Sequence, residues 1–117
     1  MAEAVARSLA TDRVEASSAG LFPAAIVQPE TFQVMAERGM PIDPGARPRN
    51  IVAVEGRQVD VLVNMSGAPA ERLLADFGGR LVDWEIPDPI GRSLEVYRSA
   101  RDLIESKVRV LLGELAG

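Results

Sequence analysis

Six residues, Val59-Asp60-Val61-Leu62-Val63-Asn64, constrain this chain more than any other stretch. Valine dominates the run and its apolar residues are nearly continuous. That pattern suits a parallel strand covered on both faces rather than a half-exposed antiparallel one. Polar residues mark its ends, with Asp60 near its start and Asn64-Met65-Ser66-Gly67 beyond its carboxyl end.

The segments on either side read as alternating helices and strands. Met1 to Ala10 reads as a helix, with Met1, Val5 and Leu9 on one face and Ala2 and Ala6 beside them. No Ser, Thr, Asp or Asn precedes it as a cap, so the chain reads as beginning inside a helix's first turn. Thr11-Asp12-Arg13 is a polar turn, and Arg13 to Ser17 alternates like a short strand. Ser18-Ala19-Gly20 leaves it with small residues. Pro29 at a first helical position and Glu30 beside it open a second helix. Phe32, Met35 and Ala36 form its expected buried stripe, and Gly39 is its left-handed stop. Pro41 to Pro48 is loop, and Ile51-Val52-Ala53-Val54 fits a short strand or one helical turn equally well.

After the Val-rich strand, Pro69 opens a helix over 70–77 that ends at Gly78-Gly79. Arg80 to Trp84 reads as the next strand. Ser93 caps a last helix whose Tyr97, Ala100, Ile104, Val108, Leu111 and Leu115 mark a buried stripe. Arg98, Arg101 and Asp102 are expected on its solvated face. The alternation predicts a single α/β domain over 1–117, three-layered as α/β/α with a parallel sheet.

Composition narrows the chemistry. At 117 residues the chain holds one core, and with 4% aromatic residues that core is aliphatic. A net charge of −4 without a basic stripe argues against nucleic acid. The absence of Cys and His excludes disulfides, thiol chemistry and the usual zinc sites within these residues. No run of 18 apolar residues predicts a membrane span, and Met1-Ala2-Glu3-Ala4 lacks a basic secretory start. A cytoplasmic protein without cofactor, metal or membrane partner is expected.

Sites in parallel sheets lie beyond the carboxyl ends of the strands. Ser17 to Leu21, Asn64 to Gly67 and Glu85 to Gly91 qualify. The last of these carries Asp88 between Pro87 and Pro89, just after the only Trp, Trp84. Each Pro fixes its own φ and biases the residue before it toward extended backbone. On the residues alone, Asp88 is either a turn residue or a positioned acid. Asn64 and Ser66 are expected to satisfy local backbone, Trp84 to be core or pocket wall, and Arg47 and Arg49 to meet solvent.

Five motifs in order resemble one family, the low-molecular-weight protein tyrosine phosphatases with their arsenate reductase relatives. Met1-Ala2-Glu3-Ala4 resembles the start of the helix that follows that family's catalytic phosphate loop. Ser17-Ser18-Ala19-Gly20 resembles its Ser-Ala-Gly turn, and Asp60-Val61-Leu62-Val63 its Asp-Val-Val-Val strand. Trp84-Glu85-Ile86-Pro87-Asp88-Pro89 is similar to the segment bearing its Asp-Pro acid, and Glu95-Val96-Tyr97-Arg98 to the start of its last helix.

The resemblance implies hydrolysis of phosphomonoesters through a Cys phosphoenzyme, with a phosphorylated protein or small aryl phosphate as substrate. By position it makes Asp88 the general acid. The family's nucleophilic Cys and phosphate-binding Arg have no counterpart here, and neither does its central first strand. The chain as written is therefore expected to be inactive. One expectation is that Met1 is an internal Met, with about 10–15 further residues upstream, on the scale of a strand and loop. The other is a non-catalytic, phosphatase-like binding module that pairs through exposed sheet edges as a homodimer. Ser66 falls where arsenate reductases carry a further Cys, and a hydroxyl cannot relay a disulfide, so that branch is the less favoured. Ile90 stands in place of the family's aromatic after Asp-Pro, which leaves a preference for phosphotyrosine open.

Overall fold

The computed structural model describes residues 1–10, 14–18, 27–48, 59–67 and 79–116. Within them the order is α1 (Ala2–Leu9), α2 (Pro29–Glu37), β1 (Val61–Asn64), β2 (Arg80–Asp83) and α3 (Leu94–Ala116). β1 and β2 pair in parallel, with Val61 opposite Arg80 and Asn64 opposite Asp83. The predicted α/β class with a parallel sheet is thus present. Expectations for residues 49–58, for the helix over 70–77 and for Ala19-Gly20 lie outside the described residues.

The core sits where α1 and α2 both pack against α3. Its buried residues are Val5 and Ala10 from the α1 side, Val34, Met35 and Met40 from the α2 side, and Tyr97, Ile104, Val108 and Leu112 from α3. α2 begins with Pro29 at its first position and Glu30 in its first turn, as expected. It ends in a Schellman motif, the Met40 N–H bonding to Met35 O and the Gly39 N–H to Ala36 O, both at 3.0 Å. Gly39 takes φ +69° there, the left-handed conformation that favours glycine. The buried Met35 and Met40 supply the hydrophobic closure of that motif.

Three expectations about faces need correction. The buried stripe of α2 is Thr31, Val34 and Met35, whereas Phe32 is half-buried and Ala36 is exposed. Phe32, Val34, Met35 and Ala36 spread over most of a short helix's circumference, so contact with α3 and not periodicity selects the face. On α3 the stripe runs through Tyr97, Ala100, Ile104, Val108 and Leu112, and Leu115 is exposed. α1 and α2, with 8 and 9 residues, are about 12–14 Å long and cannot cover a 23-residue helix of about 34 Å to its end.

The third correction is Arg101, which is buried rather than solvated. The last turn of α2 leaves carbonyls without helical donors. There the Arg38 N–H turns to Met35 O, and Arg101 Nη1 supplies a donor to Val34 O at 2.9 Å. The same guanidinium reaches Glu37 Oε1 at 2.9 Å and Asp102 Oδ1 at 2.8 Å. Around it, Arg98 holds Glu37, and Arg38 grips both oxygens of Glu105. A row of ion pairs therefore closes the α2–α3 seam.

Val14 to Ser17 does not form the predicted strand. Its alternation is present, with Val14 and Ala16 turned inward and Glu15 and Ser17 exposed. Its hydrogen bonds go elsewhere. Arg7 Nε and Nη2 donate to Ala16 O at 3.2 and 3.0 Å, and the Val14 N–H bonds to Ala10 O. Among the described residues no strand pairs with it.

Candidate functional site

β1 and β2 stop side by side, so the loops that leave their carboxyl ends start from one edge. The Trp84 N–H continues the ladder one step beyond β2, to Asn64 O at 2.9 Å. Asn64 Nδ2 donates across the strands to Asp83 Oδ1 at 2.9 Å. Its Oδ1 accepts from the Ser66 N–H at 3.0 Å and from Ser66 Oγ at 2.6 Å. The expectation of service to local backbone is met for Asn64, which accepts the Ser66 N–H, whereas the Ser66 hydroxyl donates to the Asn64 side chain; the cross-strand tie to Asp83 was not expected. Trp84 is half-buried and packs against the core, as a core or wall residue would.

The second loop carries Asp88. Its Oδ1 accepts the Ile90 N–H at 3.1 Å, closing an Asx turn. A β-turn follows at once, with the Arg92 N–H bonded to Pro89 O at 2.8 Å and Gly91 at φ +78°. Both turns are local, so the carboxylate stays exposed while its backbone is pinned. Asp88 is thus a turn residue by its contacts, on a stiff support that leaves its carboxylate accessible.

Directly behind this turn the chain enters α3, where Ser93 O accepts the Val96 and Tyr97 N–H groups at 3.0 and 3.3 Å. Tyr97, the only Tyr, is 1% exposed. Burial pushes its phenol above the ordinary tyrosine range, and the negative charges of Glu30 and Asp88 add to that. Sequence spacing gave no sign of this influence, because Glu30 and Asp88 come from elements far apart in the chain.

A cleft of about 700 Å³ lies elsewhere, between α1 and the loop at 41–48. Glu3, Arg7, Ser18, Asp43 and Arg47 are among its lining, whereas Asp88, Ser66 and Trp84 are not. Its polar side chains have partners nearby. Ser18 Oγ donates to Glu3 Oε1 at 3.0 Å, Arg7 lies 3.6 Å from Glu3, and the Asp43 carboxylate accepts the Gly45 N–H at 2.8 Å. Arg47 is exposed as expected, and Arg49 lies outside the described residues. The strand ends differ from this cleft in that their exposed carboxylate, Asp88, is flanked by prolines on both sides at the carboxyl edge of the sheet, whereas the exposed Asp43 has a proline on one side only.

What the strand ends can do on their own is limited. A carboxyl group can give or take a proton, but attack by a thiol or hydroxyl needs a Cys or Ser with a group that activates it. The Ser66 hydroxyl is directed to Asn64, and the chain has no Cys and no His. Among the described residues no group of three or more His, Cys, Asp or Glu gathers to hold a metal. No described helix is long and apolar enough to cross a membrane.

The chain is similar to several known proteins. The glutaredoxin arsenate reductase of Synechocystis is 28% identical over 120 residues, covering 99% of this chain and 88% of that protein. The solved structure of an arsenate reductase in the phosphate binding state matches with a TM-score of 0.82 at 27% identity, over 97% of this chain and 86% of that one. The structure of a protein tyrosine phosphatase matches with a TM-score of 0.83 over 99% of this chain and 86% of that one; at 24% identity it speaks for the fold. The profile of the low molecular weight phosphotyrosine protein phosphatases matches residues 1–117. The chain belongs to the low molecular weight phosphotyrosine protein phosphatase family.

Proposed function

We propose that this domain supplies the acid half of a phosphomonoesterase site, with Asp88 as proton donor, and that these 117 residues alone do not turn substrate over. The observation that carries the reading is the accessible Asp88 carboxylate, on backbone fixed by Pro87, Pro89 and its own Asx turn at the carboxyl edge of the sheet. A neutral Asp88 would protonate the leaving oxygen as a thiolate takes the phosphoryl group. Its carboxylate would then draw a proton from the water that hydrolyses the phosphoenzyme. The substrate class is a phosphorylated protein or a small aryl phosphate. The thiolate must come from a Cys-x5-Arg segment, since no Cys occurs here.

p-Nitrophenyl phosphate turnover tests both parts. The 117-residue chain is expected to be inactive, and measurable hydrolysis by it would refute that half. In a chain carrying a Cys-x5-Arg loop ahead of Met1, Asp88→Asn is expected to lower kcat about 10²–10⁴-fold. An unchanged kcat would leave Asp88 as a turn residue only.

The arsenate reductases among the relatives favour a second reading, arsenate reduction. Ser66 weighs against it, because no thiol stands at that position to carry a disulfide relay. Arsenate-dependent oxidation of a thiol reductant by the extended chain would decide for it. A non-catalytic module pairing through sheet edges predicts a dimer, which sedimentation of the 117-residue chain would detect.

A further inference from the structure

Asn64 is held at both ends of its side chain. Its Nδ2 needs an acceptor and finds Asp83 Oδ1, and its Oδ1 needs a donor and finds the Ser66 N–H. An amide matched in this way has one orientation. Its own carbonyl accepts the Trp84 N–H. Asn64 thus grips two successive residues, Asp83 and Trp84, at the base of the Asp88 segment.

That segment is short and stiff. Only Glu85, Ile86 and Pro87 separate Trp84 from Asp88. Ile86 is half-buried against the core, and Pro87 and Pro89 fix two φ angles on either side of the carboxylate. A displacement at the base has few soft dihedrals to absorb it before Asp88. Resting on the reading of Asp88 as the acid, we propose that Asn64 is a positioning residue, which sets the placement of the Asp88 carboxyl through its cross-strand bond to Asp83. Proton transfer is sensitive to such placement, since a misplacement of about 1 Å can cost about 10²-fold in rate.

The test is a donor–acceptor swap. Asn64→Asp is isosteric and keeps the acceptor for Ser66, but sets a carboxylate oxygen against that of Asp83. Combining it with Asp83→Asn restores an N–H···O bond of opposite direction. In the 117-residue chain, Asn64→Asp is expected to speed amide exchange at Trp84 and Ile90 about five- to tenfold near neutral pH, and the swap to bring both back within about twofold of the original. An unchanged Ile90 amide, or one the swap fails to restore, would overturn the proposal.

Kinetics on the chain with a Cys-x5-Arg loop separate this inference from the reading beneath it. Asn64→Asp is expected to lower kcat/KM, which reports the phosphoryl-transfer step alone, about tenfold on phenyl phosphate and less than about twofold on 2,4-dinitrophenyl phosphate, whose leaving oxygen departs without a proton. Inhibition by inorganic phosphate should not change. Equal slowing on both substrates would overturn the positioning role. If Asp88→Asn itself slowed both equally, the assignment of Asp88 as acid would fall instead.

Discussion

Replacing Arg101 with Met is the sharpest test of how this fold is held. Arg101 is 7% exposed, so its loss is felt in the interior. Three bonds go with it, to Val34 O, Glu37 Oε1 and Asp102 Oδ1. Glu37 keeps Arg98, and Asp102 is mostly in water, so those two losses are small. The Val34 carbonyl is different, because the Arg38 N–H that would serve it in a continuing helix is turned to Met35. A buried acceptor left unmet costs about 1–3 kcal/mol, and packing the Met side chain returns part of that. A net loss of about 2 kcal/mol is expected, which in a domain of this size lowers Tm by about 8 °C. Urea melts followed by the single Trp and by helix circular dichroism would measure it. A loss below about 0.5 kcal/mol would refute the claim that Arg101 completes the end of α2. So would an equal loss from Arg98→Ala, which removes an exposed partner of the same Glu37.

The single Tyr gives a direct optical titration. Absorbance at 295 nm should show Tyr97 ionising above the ordinary value of about 10, and Glu30→Gln should lower its midpoint more than Asp88→Asn does, following the order of their influence. Because that phenol's folded pKa is raised, its contribution to stability is complete below the ordinary tyrosine value and is lost as pH rises through the folded one. Glu37 and Glu105 work in the opposite sense. Hydrogen bonds from Arg98 and from Arg38 respectively hold their carboxyls below the usual range, so stability should be complete above about pH 4.3 and fall as pH drops through the depressed values. Acid melts of Glu37→Gln should be flatter over that window. Gly39→Ala should cost about 1 kcal/mol in urea denaturation, all of it from the backbone, since an added Cβ at φ +69° meets nothing within 4 Å.

Elements whose signals are local were readable from the sequence. Pro29, Glu30 and Gly39 bracket α2 correctly, and the Val-rich run is the strand β1. What could not be read was settled by partners distant in the chain. Arg101 looks solvated on a helical wheel because its charge is visible and the unmet carbonyl of Val34 is not. Phe32 and Val34 point to different faces of α2, and contact with α3 decides which of them is buried. Val14 to Ser17 alternates as a strand does, but strand structure requires a partner, and Arg7 takes the Ala16 carbonyl instead. For the site, the two prolines around Asp88 announced a stiff carboxylate. The tie of Asn64 to Asp83 at its base depends on the register of β1 against β2, which no local pattern encodes.

The α2–α3 ion pairs also bear on time. Arg98 and Glu37 are 61 residues apart in sequence, Arg101 and Glu37 are 64, and Arg38 and Glu105 are 67. Closing a flexible loop of that length costs about 3–4 kcal/mol in chain entropy before any of these bonds repays it. The seam is therefore expected to form late, after the folding barrier is crossed. Contacts made after the barrier scarcely affect how fast a chain folds and mainly set how fast it comes apart. Weakening this row of arginines should accordingly shorten the lifetime of the native state while leaving its rate of formation nearly unchanged.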